Sequence, residues 1–297
     1  MTGHPETVTL AVDGRNIQVA VWGHADAPAV ILVHGLRDHG RSWDRVAAAL
    51  ATGYRVIAPD LRGHGDSDWA GADGYALAAF VADIHDIARA FDLERYALVG
   101  HSLGGAIALR LAAADADRVW ALAGIECVEL PIQRDEVAAP TPYAVRLRHW
   151  LDRRAQARAR GTRHYPTRAE ALARMHGQHP DLAADLVDAL AAHALVHDVD
   201  KGWRWKFDPR VRLRAPEDQR AHDLDDVLDA ISCPVLLSYG TSSWVPVPGP
   251  ARRARLKCHQ ISHYANAGHW LHHQFTSRFI AETRAFLDAH NRTHDHA

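Results

Sequence analysis

A serine in a glycine-rich pentapeptide is the strongest chemical signal in this sequence of 297 residues. Residues 100–104 read Gly-His-Ser-Leu-Gly, between an apolar run typical of a strand and a stretch typical of a helix. A sharp strand-to-helix turn needs small neighbours, which the glycines of the pentapeptide and Gly105 supply. On such a turn the hydroxyl of Ser102 can act as a nucleophile if a base lies within hydrogen-bonding reach. The alternative is a serine with a purely structural role in the turn.

The elements that must position this serine alternate between strands and helices. Near-continuous apolar runs such as residues 29–33 are typical of strands buried on both faces of a parallel sheet. Asp13-Gly14 suits a hairpin between the first two strands, and Ser42 is placed to cap the first helix. The pattern predicts an α/β fold with a doubly wound, mostly parallel sheet of eight strands. The predicted strands are 8–12, 17–22, 29–33, 54–58, 96–99, 119–125, 235–240 and 258–264, and the predicted helices of the core are 42–50, 75–91, 103–114 and 271–289.

The strand signal disappears in the middle of the chain. Residues 129–229 consist of helical stretches rich in Ala, Arg and Leu. We interpret them as a helical cap inserted between two parts of one core domain, residues 1–128 and 230–297. Such a cap would cover the carboxyl edge of the sheet, where open α/β sheets bind their ligands.

Four motifs, in this order, resemble those of the α/β-hydrolase family. They are His34-Gly35 after the third strand, Asp-Leu-Arg-Gly-His-Gly-Asp-Ser at 60–67, the pentapeptide at 100–104 followed by Gly105, and Gly268-His269-Trp270. The resemblance covers nearly the whole chain apart from the cap. It implies a capped serine hydrolase with Ser102 as nucleophile, and a chiefly structural role for the loop at 60–67.

The resemblance also implies His269 as general base, in the loop after the last strand. The acid departs from the commoner pattern, because the loop after residues 235–240 contains no carboxylate. Some families with this fold place the acid after the sixth strand, where this chain has Glu126. A carboxylate at the end of a buried strand is costly unless it is paired, so Glu126 is predicted to orient His269. The alternatives are a cap or salt-bridge role for Glu126, with Glu129 or a cap aspartate as the acid, or a water-assisted role for Ser243.

In this family's geometry the oxyanion hole is formed by backbone N–H groups, here those of Leu36 and Leu103. The cap is expected to set substrate choice. Aromatic side chains could line an apolar pocket there, although aromatic residues in a helical insertion more often form its own core. The candidate substrate-binding residues are His101, Trp150, Trp203 and Trp205, with Phe207 beside them.

The cap is also rich in arginine. Residues 134–174 contain ten arginines and four acidic residues, a local excess of six positive charges. This excess could attract an anionic substrate or a phosphopantetheine carrier. Such an excess more often means arginines on a solvated helix face, and we favour that interpretation from the sequence.

We therefore predict a hydrolase without cofactor or metal that cleaves a carboxylic ester, thioester or lactone through an acyl-enzyme on Ser102. It would be carboxylesterase-like or lactonase-like, with a small-molecule substrate. The alternatives are a carbon-carbon bond hydrolase or a cofactor-free perhydrolase with the same triad, and a non-enzymatic ligand receptor on the same fold. An epoxide hydrolase or dehalogenase is disfavoured, because those relatives carry Asp where Ser102 stands.

Composition narrows the possible partners. A formal net charge of -2 and the lack of a basic aromatic-rich domain argue against nucleic-acid binding. Three cysteines without a CxxC pair favour free thiols. The N-terminus resembles no signal peptide and no apolar stretch is long enough to span a membrane, so a cytoplasmic protein is expected. The oligomeric state is left open.

Overall fold

The computed structural model describes residues 4–71, 73–129, 141–213, 215–219 and 222–291. Its centre is a sheet of eight strands in the order β1-β2-β4-β3-β5-β6-β9-β10, in which β2 pairs antiparallel with β1 and β4 and every other pairing is parallel. The predicted sheet is confirmed. Its strands are β1 Glu6–Val12, β2 Arg15–Trp22, β3 Ala29–Val33, β4 Arg55–Pro59, β5 Tyr96–His101, β6 Val119–Ile125, β9 Val235–Gly240 and β10 His259–Tyr264.

Helices cover both faces of the sheet, because the inner strands are buried on both sides. One buried apolar cluster joins the sheet to α2 and α3 through side chains such as Phe80 and Ile107. The other joins it to α1 and α10 through Leu50 and Phe279. The core helices are α1 Asp44–Leu50, α2 Leu77–Ala90, α3 Leu103–Ala114, α8 Pro250–Arg253, α9 Leu271–Gln274 and α10 Thr276–His290.

Two helix boundaries differ from the sequence prediction. A 3₁₀ turn, Gly40–Trp43, precedes α1, and the side chain of Ser42 does not cap that helix, whose N-cap is Trp43. The predicted closing helix at 271–289 is two helices, because the chain leaves helical geometry at Phe275, which has φ -123° and ψ 44°. Of the three cysteines, Cys127 and Cys233 are buried free thiols and Cys258 is an exposed one.

The segment between β6 and β9 is mainly helical, with one feature that the sequence pattern did not predict. A two-stranded antiparallel hairpin follows α6. The hairpin and its neighbours contact the core loop at 60–69: Trp69 Nε1 donates to the Lys206 carbonyl over 2.9 Å, and Lys206 Nζ pairs with Asp66 at 2.7 Å. The elements are α4 Tyr143–Arg160, α5 Arg168–Gln178, α6 Ala184–Ala194, β7 Leu195–Asp198, β8 Gly202–Trp205, the 3₁₀ turns Pro209–Arg212 and Pro216–Gln219, and α7 His222–Ala230.

We retain the division into a core of residues 1–128 and 230–297 and a cap of residues 129–229 as a proposal. The cap is predicted to begin at residue 129, and residues 130–140, which would form its first segment, lie outside the described residues. No helix within the described ranges is long and apolar enough to cross a membrane.

Candidate active site

Ser102 occupies the strained turn that its glycine neighbours predict. It lies between β5 and α3 with φ 52° and ψ -111°, a region that non-glycine residues rarely adopt. Its N–H donates to the Ile125 carbonyl on β6 over 2.8 Å, which fixes the turn against the neighbouring strand. Only small residues fit around it, because a Cβ on Gly104 would collide with the Val33 carbonyl and one on Gly105 with Cys127.

Substitution of Gly104 should therefore unfold the turn. We expect Gly104→Ala to lower the free energy of unfolding by about 3 kcal/mol or more, because the added methyl meets backbone rather than a movable side chain. Urea unfolding followed by circular dichroism measures this. Gly177→Ala is the matched control, since a Cβ there meets nothing within 4 Å. Equal stability of the two variants would contradict the packing described.

The side chains of Glu126 and His269 contact each other beside the cavity. Glu126 follows β6 directly, has φ 50° and is fully buried. Its Oε2 lies 2.8 Å from Nδ1 of His269, whose loop follows β10. Glu129, the alternative acid, instead pairs with Arg252 at 2.8 Å. The Glu126 contact gives His269 the tautomer with the proton on Nδ1, which leaves Nε2 as an acceptor.

The carboxylate of Glu126 has two further donors from the end of β9. The N–H of Gly240 donates to its Oε1 over 2.8 Å, and the hydroxyl of Ser243 donates to its Oε2. Ser243 thus orients the carboxylate rather than replacing it, and its Oγ also accepts from the N–H of Val245 at 3.1 Å. Burial raises the pKa of Glu126, while the hydrogen bonds from Ser243 and Gly240 oppose that rise. With His269 as third donor, the ionised form is favoured.

Burial also shifts the pKa of His269. It lowers the pKa of His269 to about 4, with a smaller contribution from nearby His179. The imidazole is therefore neutral near pH 7, as a general base must be. Its ring packs beside Trp244 with 4.4 Å between centroids, and its carbonyl oxygen lies 2.9 Å from Nε2 of His101.

Ser102 and His269 line the same cavity. Within the described residues, no hydrogen bond joins the Ser102 hydroxyl to His269. Of the two predicted oxyanion donors, Leu103 directly follows Ser102 and Leu36 lines the same cavity as Ser102. Leu103 begins α3, so its N–H has no acceptor within the helix, and the N–H of Leu36 enters no loop hydrogen bond of the described chain.

The cavity above Ser102 has a volume of about 610 Å³. His101 and Trp205 line it, as the sequence predicted, and Phe207 lies on the same wall. Trp150 and Trp203 are not on its wall. Trp150 stacks with Arg154 of its own helix, and Trp203 packs in a small cluster of the cap with Tyr165.

The polar loop at 60–67 holds the core together and is absent from the cavity wall. Asp60 accepts from the N–H groups of Gly40 at 2.6 Å and Asp66 at 2.8 Å. Arg62 forms a buried ion pair with Asp83 at 2.5 Å. These contacts fit the structural role expected for the loop.

Other residues of the cavity wall were not singled out by the sequence. Trp244, which is 54% exposed, follows β9, and Arg37 and Arg212 come from loops of the core and the cap. Arg37 has φ 66°, which turns its loop sharply after β3. Single residues in loops carry no periodic pattern, so only the fold reveals that they converge.

This geometry accords with the similarity of the chain to known proteins. The chain belongs to the alpha/beta hydrolase fold family, whose sequence profile matches residues 28–276. Among curated relatives, an uncharacterised protein of Mycobacterium tuberculosis is 47% identical over 85 residues, 29% of this chain and 25% of the relative. The match thus covers about a quarter of that relative.

Two solved structures extend the similarity to almost the whole chain. A thioesterase domain from the curacin biosynthetic pathway is 26% identical with a TM-score of 0.81, covering 94% of this chain and 98% of that domain. An esterase of Mycobacterium tuberculosis is 25% identical with a TM-score of 0.76, covering 96% of this chain and 92% of the esterase. The chain is thus similar to hydrolases over its full fold.

Proposed function

We propose that this protein is a serine hydrolase that cleaves a carboxylic ester, thioester or lactone. The observation that carries the proposal is the buried Glu126–His269 pair, 2.8 Å apart, beside a serine held on a strained strand-to-helix turn. A buried carboxylate and imidazole are costly unless they serve each other. Similarity to a thioesterase domain and an esterase supports the same reaction class.

In the proposed reaction, Ser102 Oγ attacks the substrate carbonyl and its proton passes to Nε2 of His269. The negative oxygen of the tetrahedral intermediate accepts from the N–H groups of Leu36 and Leu103. The intermediate collapses as the imidazolium protonates the leaving alcohol or thiol, which leaves an acyl-serine. His269 then deprotonates a water, which attacks the acyl carbon and releases the acid and Ser102.

Glu126 supports both half-reactions without being protonated. It fixes the Nδ1–H tautomer and stabilises the imidazolium that forms in each transition state. The carbonyl of His269 lies 2.9 Å from Nε2 of His101, which helps to hold the loop of His269 in place. In this proposal Ser102 and His269 act on the substrate, whereas Glu126 and His101 orient His269.

Covalent labelling tests the nucleophile. We expect a fluorophosphonate probe to label the wild type at one site and to leave Ser102→Ala unlabelled, because only an activated serine attacks phosphorus at a useful rate. Intact-mass spectrometry and peptide mapping read out the site. Ser67→Ala is the matched control: this buried serine donates to the Asp60 carbonyl over 2.7 Å and should not affect labelling. An unlabelled wild type would favour a receptor on the same fold.

Labelling by the probe does not distinguish an esterase from a carbon-carbon bond hydrolase, because both would have an activated serine. Turnover of p-nitrophenyl esters does, because an esterase releases nitrophenolate continuously. A protein that is labelled by the probe but turns over no ester would move the carbon-carbon hydrolase ahead.

A further inference from the structure

Four arginines line the cavity above Ser102 and come from separate parts of the chain. Arg37 follows β3 in the core, Arg163 lies between α4 and α5, Arg174 is in α5, and Arg212 ends a 3₁₀ turn. Arginines gathered on one helix face are commonly a solvated surface. Arg163, Arg174 and Arg212 are exposed to solvent and Arg37 is half-buried, but all four converge from different segments on the wall of one cavity and place their charge at its surface.

These guanidinium groups have no carboxylate or hydrogen-bond acceptor of the described chain as a partner. In the part of the chain that the structure describes, none of the four forms an ion pair or hydrogen bond, and Nε of Arg37 is buried without a partner. Some arginines outside the cavity are paired: Arg210 binds Asp208 at 2.7 Å and Arg154 binds Asp73 at 2.5 Å. The cavity wall instead brings together four guanidinium groups that no described carboxylate pairs with.

Carboxylates do not neutralise this charge. Asp38 is the single carboxyl residue on the described wall, and burial raises its pKa to about 7. Glu170 lies in an adjoining groove beside Arg163 and Arg174, where it accepts from the Thr167 hydroxyl at 3.1 Å. The cavity thus keeps a net positive charge near neutral pH.

Aromatic rings brace two of the guanidinium groups. Cζ of Arg37 lies 5.0 Å from the ring centroid of Phe207, and Cζ of Arg163 lies 5.0 Å from that of Tyr165. Stacking on a ring holds the planar group while leaving its N–H edge free for an oxyanion. Burial and the charges of Arg212 and Arg174 lower the pKa of Arg37 to about 10, and a bound anion would relieve that repulsion.

We propose that the substrate carries a carboxylate or phosphate group remote from its scissile carbonyl, and that Arg37, Arg174 and Arg212 bind this group. The inference rests on the proposed hydrolase function, which places the carbonyl at Ser102. A cavity of about 610 Å³ can enclose both ends of such a molecule. Apolar wall residues, among them Leu36 and Met175, would contact the chain between the two ends.

Matched esters that differ in one charge test the proposal. The p-nitrophenyl monoester of adipic acid is compared with p-nitrophenyl hexanoate, which places the anion on the acyl side. The pair 4-carboxyphenyl valerate and 4-carbamoylphenyl valerate places it on the alcohol side. Inhibition by phenyl phosphate, against benzyl alcohol, reports whether phosphate is accepted. We expect one anionic ester to exceed its neutral partner in kcat/KM by about tenfold or more.

Variants assign the preference to the arginines. The double variant Arg174→Gln/Arg212→Gln should lower the ratio of kcat/KM for the preferred anionic ester to kcat/KM for its neutral partner by about tenfold. Arg153→Gln is the matched control, because Arg153 is an exposed cap arginine away from the cavity wall. High salt should reduce the preference in the wild type only.

Failure of this inference can be separated from failure of the proposed function. If neutral and anionic esters are hydrolysed equally well, or if the double variant keeps the anionic preference, the arginine inference is wrong while the hydrolase stands. If no ester is hydrolysed, the arginine inference is tested by binding instead. Binding of the same esters to Ser102→Ala is then measured by the quenching of tryptophan fluorescence. Tighter binding of the anionic ester that the double variant loses sustains the inference, and equal binding overturns it.

Discussion

Glu126→Gln should lower kcat/KM for p-nitrophenyl esters by about 10³ or more. The amide keeps the size of the side chain, but it cannot stabilise the imidazolium and can turn its NH₂ toward Nδ1, which selects the wrong tautomer. Steady-state kinetics on wild type and variant measure the effect. Circular dichroism establishes that both are folded.

Ser243→Ala is the control for this experiment. Its hydroxyl donates to the same oxygen of Glu126 that meets His269, but Gly240 also holds the carboxylate. We expect this variant to lose less than about tenfold. A Glu126→Gln variant within tenfold of wild type, or a Ser243→Ala variant as inactive as Glu126→Gln, would contradict the assignment of the acid.

Mild acid should destabilise the folded protein. Five histidines outside the proposed triad are buried with lowered pKa values, which keeps them neutral in the folded state: His34, His39, His101, His272 and His273. Desolvation is the main cause for each. In the unfolded chain these residues take up protons near pH 6.5, so the stability they contribute is complete above that pH and is lost as the pH falls below it.

Two buried carboxyl groups oppose this effect in part. Burial raises the pKa of Asp38 to about 7 and that of Asp60 to about 6, so the folded protein binds their protons first. The buried histidines outnumber these carboxyl groups, so the unfolded state gains more protons than the folded state as the pH falls. The free energy of unfolding should therefore fall by more than about 1.4 kcal/mol per pH unit, the effect of one net proton, between pH 6 and pH 5.

Urea unfolding at pH 7.5, 6 and 5.5 tests this directly. His272→Leu should flatten the dependence by about 1.4 kcal/mol per pH unit, because this fully buried ring has no hydrogen-bond partner among the described residues. His24→Gln, at an exposed position, should leave the slope unchanged. A stability that is the same at pH 7.5 and 5.5 would overturn the prediction.

Periodic and local signals explain what the sequence could predict. Apolar runs such as β3 predict the sheet, and the glycines around Ser102 predict its turn. Both signals lie in consecutive residues, so the sequence alone reveals them. Glu126 was predictable because a carboxylate at the end of a buried strand demands a partner. Its hydrogen-bonding distance to His269 depends on the pairing of β6 with β9, which no local pattern encodes.

The cavity wall escaped prediction for the same reason. Trp203 and Trp205 lie two residues apart on the same face of β8 and both pack against one small apolar cluster, but only Trp205, at the end of the strand, reaches the cavity wall. A pair of strands of four residues each, set among helices, gives too short a run to show period two. Arg37 and Arg212 converge because part of the segment between β6 and β9 lies against the loop after β3.

The position of the acid has an evolutionary consequence. Because Glu126 follows β6, whose last residue accepts the N–H of Ser102, the proposed nucleophile and acid share one pair of adjacent strands. The last residue of β9 and Ser243 in the following loop each donate one supporting hydrogen bond to Glu126, while Trp244 of that loop lines the cavity. That loop can diverge without loss of the machinery, which makes residues 244–249 a natural place for new specificities to arise and for a mutant library to begin.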